Sequence, residues 1–149
     1  MVALAIQIGN LKILDFKVVS EPWNEYKLAD GTTLRVKVVV SSVLKENGEK
    51  FALSHTPLFS VLPNPKYAGA PSPPMKQGEK LEVFLEDEDL KFNQVTDLWN
   101  EYLIPSEKIR LLVKGILVLA SRTSLHDEKG FPIYVTNVQL VVKHKKDTK

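Results

Sequence analysis

The tetrapeptide Trp-Asn-Glu-Tyr occurs twice in this chain, at residues 23–26 and again at residues 99–102. These two copies contain both tryptophans of the 149-residue sequence. A polar turn follows each copy, and an apolar run follows each turn, at residues 38–40 in the first case and 116–119 in the second. Because a repeated word in repeated surroundings is typical of a repeated supersecondary unit, the sequence predicts two related halves.

Strand-like patterning dominates both halves. Apolar and polar residues mostly alternate at 11–18 and at 34–38, which is the period that places one face of a strand on a core. Between these stretches, the Asp-Gly pair at 30–31 predicts a tight hairpin turn with the glycine at positive φ. A second turn is predicted at 45–48, and a second hairpin around 105–108.

Two stretches, at 36–44 and 115–120, are apolar on both sides, which is typical of a central strand or of a contact between subunits. Each half has one apolar face to hide, and two such faces can cover each other. We therefore predict an all-β protein in which two pseudo-repeated antiparallel meanders form a barrel or a sandwich. At most one short helix is expected, at Asp89–Leu98.

A proline-rich stretch at 63–78 separates the halves and contains five prolines and two glycines. Proline cannot continue a helix or donate to a strand ladder, so this stretch predicts a surface loop, mobile and exposed at 67–76. A single domain is expected, with β-rich halves at 1–62 and 79–142. The basic tail at 143–149 is expected to be disordered because it is too polar to pack.

The composition excludes some kinds of chemistry. The chain has no cysteine, which rules out disulfides, thiolate nucleophiles and cysteine-ligated zinc and fits a reducing compartment such as the cytoplasm. Its net charge of +2 does not by itself indicate a nucleic-acid or membrane partner. The apolar start at residues 1–8 is short and lacks a basic region, so we interpret it as a first strand.

Catalytic and metal-binding motifs are missing from the sequence. The three histidines, His55, His126 and His144, have no spacing that would build a metal site. No glycine-rich phosphate loop and no serine-nucleophile motif occurs. We therefore expect no metal, no cofactor and no catalytic residues, and a non-enzymatic protein is favoured.

The paired tetrapeptides are the candidate ligand site, through Trp23, Glu25, Tyr26, Trp99, Glu101 and Tyr102. Aromatic residues at such positions more often belong to the core, so a structural role is favoured, with both tryptophans equivalent and largely buried. A pseudo-twofold axis would alternatively bring the two glutamates together as a hydrolase-like carboxylate pair. A ligand site at the junction of the halves is a further interpretation.

Nucleic-acid binding is the main alternative, because small β-barrels such as the OB-fold bind single strands by stacking bases on aromatics in a basic groove. The cations that would serve it are Arg35, Lys37, Arg110 and Lys114. Neither half is basic as a whole, so the electrostatic footprint of such a binder is weak. The preferred function is a non-enzymatic binding or assembly module capable of self-association, and the alternative is an OB-like single-stranded nucleic-acid or small-ligand binding protein.

Overall fold

The computed structural model describes residues 6–9, 11–46 and 50–147. These residues form eleven strands and three 3-10 turns, and they contain no α-helix. The strands are β1 (Ile6–Ile8), β2 (Leu11–Leu14), β3 (Lys17–Ser20), β4 (Asn24–Leu28), β5 (Thr33–Lys45), β6 (Phe51–Leu62), β7 (Leu85–Asp87), β8 (Phe92–Gln94), β9 (Asn100–Ile104), β10 (Ile109–His126) and β11 (Pro132–Lys146). The 3-10 turns are Pro65–Tyr67, Leu81–Phe84 and Pro105–Glu107.

The strands form two antiparallel sheets, which confirms the all-β prediction and fits a sandwich. In the first sheet β5 is central, with β6 along one side and β4 and β2 along the other, while β8 extends beyond β4 and β1 beyond β2. In the second sheet β10 is central, with β11 along one side and β9 and β7 along the other, while β3 extends beyond β9. The two long apolar strands are therefore central.

The two halves of the chain have the same pattern of strand pairing. Strands β2, β4 and β6 pair with β5, and strands β7, β9 and β11 pair in the same way with β10, whereas β3 and β8 each join the sheet of the other half. Strand β3 precedes the first tetrapeptide but pairs with β9, which carries the second. Strand β8 precedes the second tetrapeptide but pairs with β4, which carries the first. Each half thus contributes one short strand to the sheet of the other half, so neither sheet is built from one half alone.

An aromatic residue just before β3 and one at the start of β8 take equivalent places in the core. Phe16 and Phe92 each lie seven residues before the tryptophan of their own copy. Phe16 packs edge-on against Tyr102 with ring centroids 5.8 Å apart, and Phe92 packs edge-on against Tyr26 at 5.6 Å. Edge-to-face pairs of this kind contribute roughly 0.5–1.5 kcal/mol beyond the burial of their area. The exchange therefore stabilises both sheets in the same way.

The two central strands approach each other at Val38 of β5 and Gly115 of β10. These residues lie two positions beyond the valines that pair with the tetrapeptide asparagines, so their places in the two sheets correspond. A Cβ atom at Gly115 would lie 2.5 Å from Val38 Cγ2, and the side-chain amide of Asn100 donates to the Val38 carbonyl at 2.7 Å. The valine on one strand thus fills the space that the glycine leaves on the other.

Two salt bridges tie the halves together at the two ends of β5. Asp30, in the β4–β5 turn, pairs with Arg122 of β10 at 2.9 Å. Glu107, in the β9–β10 turn, pairs with Lys45 of β5. We call the Asp30–Arg122 region the closed end, because its two side chains are almost fully buried, and the Lys45–Glu107 region the open end, because its two side chains are more exposed. Each salt bridge joins a turn of one half to the central strand of the other.

Both predicted hairpins are present. Gly31 has a φ of +87° and donates its N–H to the Leu28 carbonyl at 3.0 Å, which confirms the turn at 30–31. Strands β9 and β10 pair around the 3-10 turn Pro105–Glu107, which confirms the second hairpin. The turn expected at 45–48 falls in part on residues outside the described ranges.

The short helix expected at Asp89–Leu98 is wrong. The segment contains β8, which pairs with β4, and the side chain of Leu90 enters the core. A polar stretch with two apolar anchors gains more here from strand pairing and burial than from a short helix, since tertiary packing overrides weak propensity. Earlier in the same half, Leu81–Phe84 forms a 3-10 turn and β7 begins at Leu85.

The proline-rich loop is mostly exposed, as expected, but it is anchored on the second half. The ring centroid of Tyr67 lies 3.6 Å from the guanidinium carbon of Arg122, and its carbonyl is 2.8 Å from Nε2 of His126. Gly69 donates to Gly130, and Ser72 exchanges hydrogen bonds with His126. The loop is therefore a cover for the closed end as well as a connection.

The disordered tail expected at 143–149 is wrong for residues 143–146. Strand β11 continues through Lys146, because the start of β10 supplies a partner for each of these residues. Beyond the strand, Asp147 donates its N–H to the Lys108 carbonyl at 3.0 Å and accepts from Arg110 at 3.3 Å. Solvated lysines are compatible with a strand whose outer face is exposed. The last two residues, and residues 1–5 of the expected first strand, lie outside the described ranges.

Candidate functional site

Alternate side chains of each tetrapeptide point in opposite directions, as they must in a strand. The tyrosines point into the core, where Tyr26 and Tyr102 are fully buried. The Tyr102 hydroxyl donates to Glu21 Oε2 at 2.6 Å and accepts from Asn100 at 2.9 Å, while the Tyr26 hydroxyl accepts from the backbone N–H of Leu117 at 3.3 Å. Both tyrosines are core residues, so their assignment to a ligand site is wrong.

The environment of these hydroxyl groups also removes them from acid–base chemistry near neutral pH. Burial raises the pKa of Tyr26 above the ordinary value for tyrosine. Burial likewise raises the pKa of Tyr102, and the hydrogen bond to Glu21 raises it further. Both groups therefore stay protonated and act as fixed hydrogen-bonding groups between the halves.

The first Trp patch lies on the outer face of the first sheet and consists of Trp23, Glu25, Arg35 and Lys37. The ammonium group of Lys37 lies 5.8 Å from the centroid of the Trp23 ring, within the range of a cation–π contact. Arg35 Nε donates to Glu25 Oε1 at 2.9 Å across the β4–β5 pair. The tetrapeptide thus places one aromatic ring, one ion pair and one further cation together on the surface.

The second Trp patch lies on the outer face of the second sheet and consists of Trp99, Glu101, Arg110, Lys114 and Lys143. Two ammonium groups contact the Trp99 ring, at 4.5 Å for Lys114 and 4.4 Å for Lys143. Arg110 bonds Glu101 at 2.7 Å, and Lys114 is paired with Asp97 at 2.7 Å. This patch therefore resembles the first in kind but has a second lysine on its ring.

The tryptophans occupy corresponding outward places, but the prediction that both are largely buried is wrong. Trp23 is 39% exposed, and Trp99 is only partly buried beneath its lysines. Strand alternation fixes which residues share a face but not which face meets the core. Here the tyrosines take the core face because their hydroxyl groups find partners there, which leaves the larger indole rings outside.

The proposed carboxylate pair of Glu25 and Glu101 does not form. Each glutamate is paired with the arginine of its own sheet, at 2.9 Å for Glu25 and 2.7 Å for Glu101. Each points outward from a different sheet, and packed sheets lie roughly 10 Å apart before the outward side chains are counted. That separation exceeds the roughly 5–9.5 Å of glycosidase carboxylates. The hydrolase hypothesis is therefore contradicted by the geometry.

The cations considered for nucleic-acid binding are grouped by the fold around the two indole rings. Arg35 and Lys37 lie in the first Trp patch, and Arg110 and Lys114 lie in the second. Both arginines are paired with glutamates, which lowers the net charge of each patch. The Arg35–Glu25 pair is partly exposed, and ion pairs of this kind contribute little to stability, roughly 0–1 kcal/mol.

The feature that sequence reasoning missed is the edge of β6. Among the described residues, this twelve-residue strand pairs with β5 along one side only. It contains no Lys, Arg, Asp or Glu, and its side chains Leu58, Phe59 and Leu62 are exposed, with Leu62 at 63%. The uncharged run at 51–62 was the available signal, but an edge strand and a central strand look alike in sequence.

A metal or cofactor site is not apparent in the described part of the chain, where no cluster of three or more His, Asp or Glu side chains is placed to hold an ion. Within the same ranges, no helix has both the length and the apolar character needed to cross a membrane. No protein-family model, no curated protein and no solved structure matches this chain.

Proposed function

We propose that this protein is a non-enzymatic assembly module that pairs with a second copy of itself through the edge of β6. The observation that carries the proposal is the long, uncharged and exposed edge of this strand. The unpaired backbone groups of such an edge are a template for a further strand. Antiparallel pairing of β6 with β6 of a second copy would join the two first sheets around a twofold axis, which is the commonest symmetry of soluble dimers.

The two long edge strands of the molecule differ in how they are protected, and this difference supports β6 as the interface. Strand β11 carries lysines at 143, 145 and 146, which disfavour pairing with another chain. Strand β6 has only Pro57 as a protecting residue. Self-pairing of β6 therefore meets no like-charge repulsion, and it covers the apolar side chains Leu58 and Leu62.

The origin of the fold belongs to the same proposal. We infer an internal duplication, supported by the matching order of strand pairings and by the corresponding contacts of Phe16 and Phe92. If the two chains of a strand-swapped dimer were fused into one, each half of the product would contribute a strand to the sheet of the other half. The absence of cysteine supports a reducing compartment, and the cytoplasm is our proposal for it.

The assembly proposal is tested by sedimentation of the full chain over a range of concentrations. We expect a monomer–dimer equilibrium, and we expect the double variant Leu58→Lys/Leu62→Lys to raise the dimer Kd at least tenfold, which is about 1.4 kcal/mol. Val83→Lys is the matched control, because Val83 is also apolar and exposed but lies outside β6. A wild-type chain that stays monomeric at high concentration, or a double variant that dimerises like the wild type, contradicts the proposal.

The second candidate function is single-stranded nucleic-acid binding at the second Trp patch, favoured by the two lysines on the Trp99 ring. Bases stack on aromatic side chains, and phosphates attract the neighbouring cations. Indole fluorescence should then be quenched by a single-stranded oligonucleotide, with affinity that falls as salt rises. Lys143→Gln should weaken binding, whereas Lys129→Gln, an exposed lysine elsewhere, should not. Absence of quenching at low salt contradicts this function.

A further inference from the structure

The hydrogen bonds of β5 determine which backbone groups of β6 point to the free edge. In an antiparallel ladder, the N–H and C=O groups of successive residues point to opposite sides of the strand. Just before β5, the Thr32 carbonyl accepts from the N–H of Leu28 at 2.9 Å, and farther along the N–H of Val40 donates to Glu21 Oε2 at 3.1 Å. Every second residue between these two therefore points away from β6, and its partner on β6 points to the free edge. Those partners are His55, Pro57, Phe59 and Val61.

Two prolines limit the part of this edge that a further strand can join. A proline has no N–H to donate, and its ring occupies the place of that N–H, so in sheets it is found where this side faces solvent. Pro57 fits that rule, because its partner Val38 points away from β6. Pro63 follows the last residue of the strand. Between the prolines, Phe59 and Val61 each offer a donor and an acceptor. We call residues 58–62 the edge segment.

The prolines also select the register in which two edge segments can pair around a twofold axis. An axis at Leu58 or at Phe59 would place Pro57 inside the new ladder, opposite a residue of the second copy. An axis at Ser60 places Phe59 opposite Val61 of the second copy, and such a pair exchanges both backbone hydrogen bonds. Pro57 then lies opposite Pro63 of the second copy, at the ends of the ladder. This register is the one that keeps both prolines outside the paired residues.

The same register covers the exposed side chains of the outer face. Leu58 is 43% exposed and Leu62 is 63% exposed. With the axis at Ser60, Leu58 stands opposite Leu62 of the second copy, and directly opposite side chains on one face of a sheet are in contact. Each leucine therefore removes the other from water.

An apolar groove of about 200 Å³ lies between β6 and β11, on the inner side of the edge segment. Its volume is smaller than that of small-molecule sites, which begin at roughly 300 Å³, so it suits an apolar side chain better than a free ligand. Phe59 of the second copy would stand beside Val61, which lines the groove. The lining from the first sheet is Leu34, Phe59 and Val61, and that from the second sheet includes Ile133, Tyr134 and Thr136.

We infer that two copies of this chain pair through their edge segments with the twofold axis at Ser60, and that Phe59 of each copy covers the apolar groove of the other. This inference rests on the proposed assembly through β6. It adds the register of the pairing and a second contact surface, which extends from β6 to β11 of the other sheet.

The register is tested by disulfide cross-linking, for which the chain is suited because it has no cysteine of its own. Ser60→Cys would place its thiol opposite that of the second copy in a non-hydrogen-bonded pair, with Cα atoms roughly 4.5 Å apart, which a disulfide can bridge. Leu58→Cys and Leu62→Cys would each lie about four residues, roughly 13 Å, from their own copy. Thr56→Cys is the matched control, because Thr56 is exposed on the same face of the same strand.

Each variant is oxidised with diamide, and the rate at which the linked dimer forms is followed on non-reducing gels. We expect Ser60→Cys to cross-link at least tenfold faster than the other three variants. If the wild type dimerises and Leu58→Lys/Leu62→Lys prevents it, but cross-linking is fastest at another position or absent at Ser60, the register is wrong and the assembly stands. If sedimentation shows a monomer at high concentration, the assembly is wrong and the register falls with it.

The groove is tested by a pair of variants on β11, away from the edge segment. Thr136→Lys places a charge in the groove, and it should raise the dimer Kd at least fivefold. Asn137→Lys is the matched control, because Asn137 is the next residue of the strand and its exposed side chain points to the opposite face. Unaltered thermal unfolding would show that both variants fold. A Thr136→Lys variant that dimerises like the wild type would overturn the inference.

Discussion

The closed end and the open end each have one ion pair between the two halves. The two ion pairs lie at corresponding points of the fold, but they differ in how far they are buried. At the closed end, the side chains of Asp30 and Arg122 are 1% and 5% exposed. At the open end, those of Glu107 and Lys45 are 14% and 25% exposed. Both ends of the fold therefore have a salt bridge between a turn and a central strand, but only the one at the closed end is covered by a flanking residue, Tyr67.

The surroundings of Asp30 explain how a buried carboxylate is tolerated. Burial by itself would raise its pKa, but hydrogen bonds from Tyr134, from the backbone N–H of Thr32 and from Arg122 outweigh that effect, and the pKa of Asp30 is lowered. Around Arg122, burial favours the neutral form, but the contact with Asp30 outweighs it and the pKa is raised. The charged pair is thus the stable form at the closed end.

The largest expected effect is that of Arg122→Met, which leaves Asp30 buried without its cation. Breaking a buried pair in this way costs about 3–5 kcal/mol, measured as the free energy of unfolding in urea. The matched change at the open end, Lys45→Met, should cost less, because the side chains of Lys45 and Glu107 are more exposed than those of Arg122 and Asp30. Equal losses of unfolding free energy for the two variants would contradict this difference between the ends.

A smaller effect is expected where the central strands cross between the two ends. Gly115→Ala would place a methyl group 2.5 Å from Val38 Cγ2 and 3.0 Å from Val138 Cγ1, and such overpacking costs about 1–3 kcal/mol. Adding Val38→Ala should recover part of that loss, because it restores one large and one small side chain at the crossing. If the second change only adds to the first, the two strands do not meet there as described.

The smallest expected effect is on the stability of the protein at low pH. Because the pKa of Asp30 is lower in the folded protein than in the unfolded chain, its stabilisation is present above about pH 4 and is lost as the pH falls through the folded value. Asp30→Asn should therefore lose less stability than the wild type between pH 5 and pH 2, measured by urea unfolding at each pH. An identical acid dependence in the two proteins would show that this carboxylate is not the group stabilised at the closed end.

The parts of the fold that sequence could predict are those fixed by local chemistry. The Asp-Gly turn at 30–31 was predictable because its backbone needs a glycine. The strand period at 34–38 was predictable because it is a property of adjacent residues. The all-β class follows from many such local patterns together.

The remaining features depend on partners that are distant in the chain. The exchange of β3 and β8 leaves no local trace, since a short strand has the same pattern whichever sheet it joins. Arg122 reads as a surface residue, because arginine is rarely buried unless it is paired, and its partner Asp30 is far away in sequence. The outward Trp23 was mispredicted because its size suggested the core, whereas the buried hydrogen bonds of Tyr26 and Tyr102 decided the orientation.

The most direct test of the central claim, that the salt bridge at the closed end is buried and the one at the open end is more exposed, is a pair of double-mutant cycles. One cycle combines Arg122→Met with Asp30→Asn, and the other combines Lys45→Met with Glu107→Gln, with unfolding free energies measured in urea at neutral pH. We predict a coupling energy of about 2–3 kcal/mol at the closed end and less than about 1 kcal/mol at the open end. Couplings of equal size at the two ends would contradict the account.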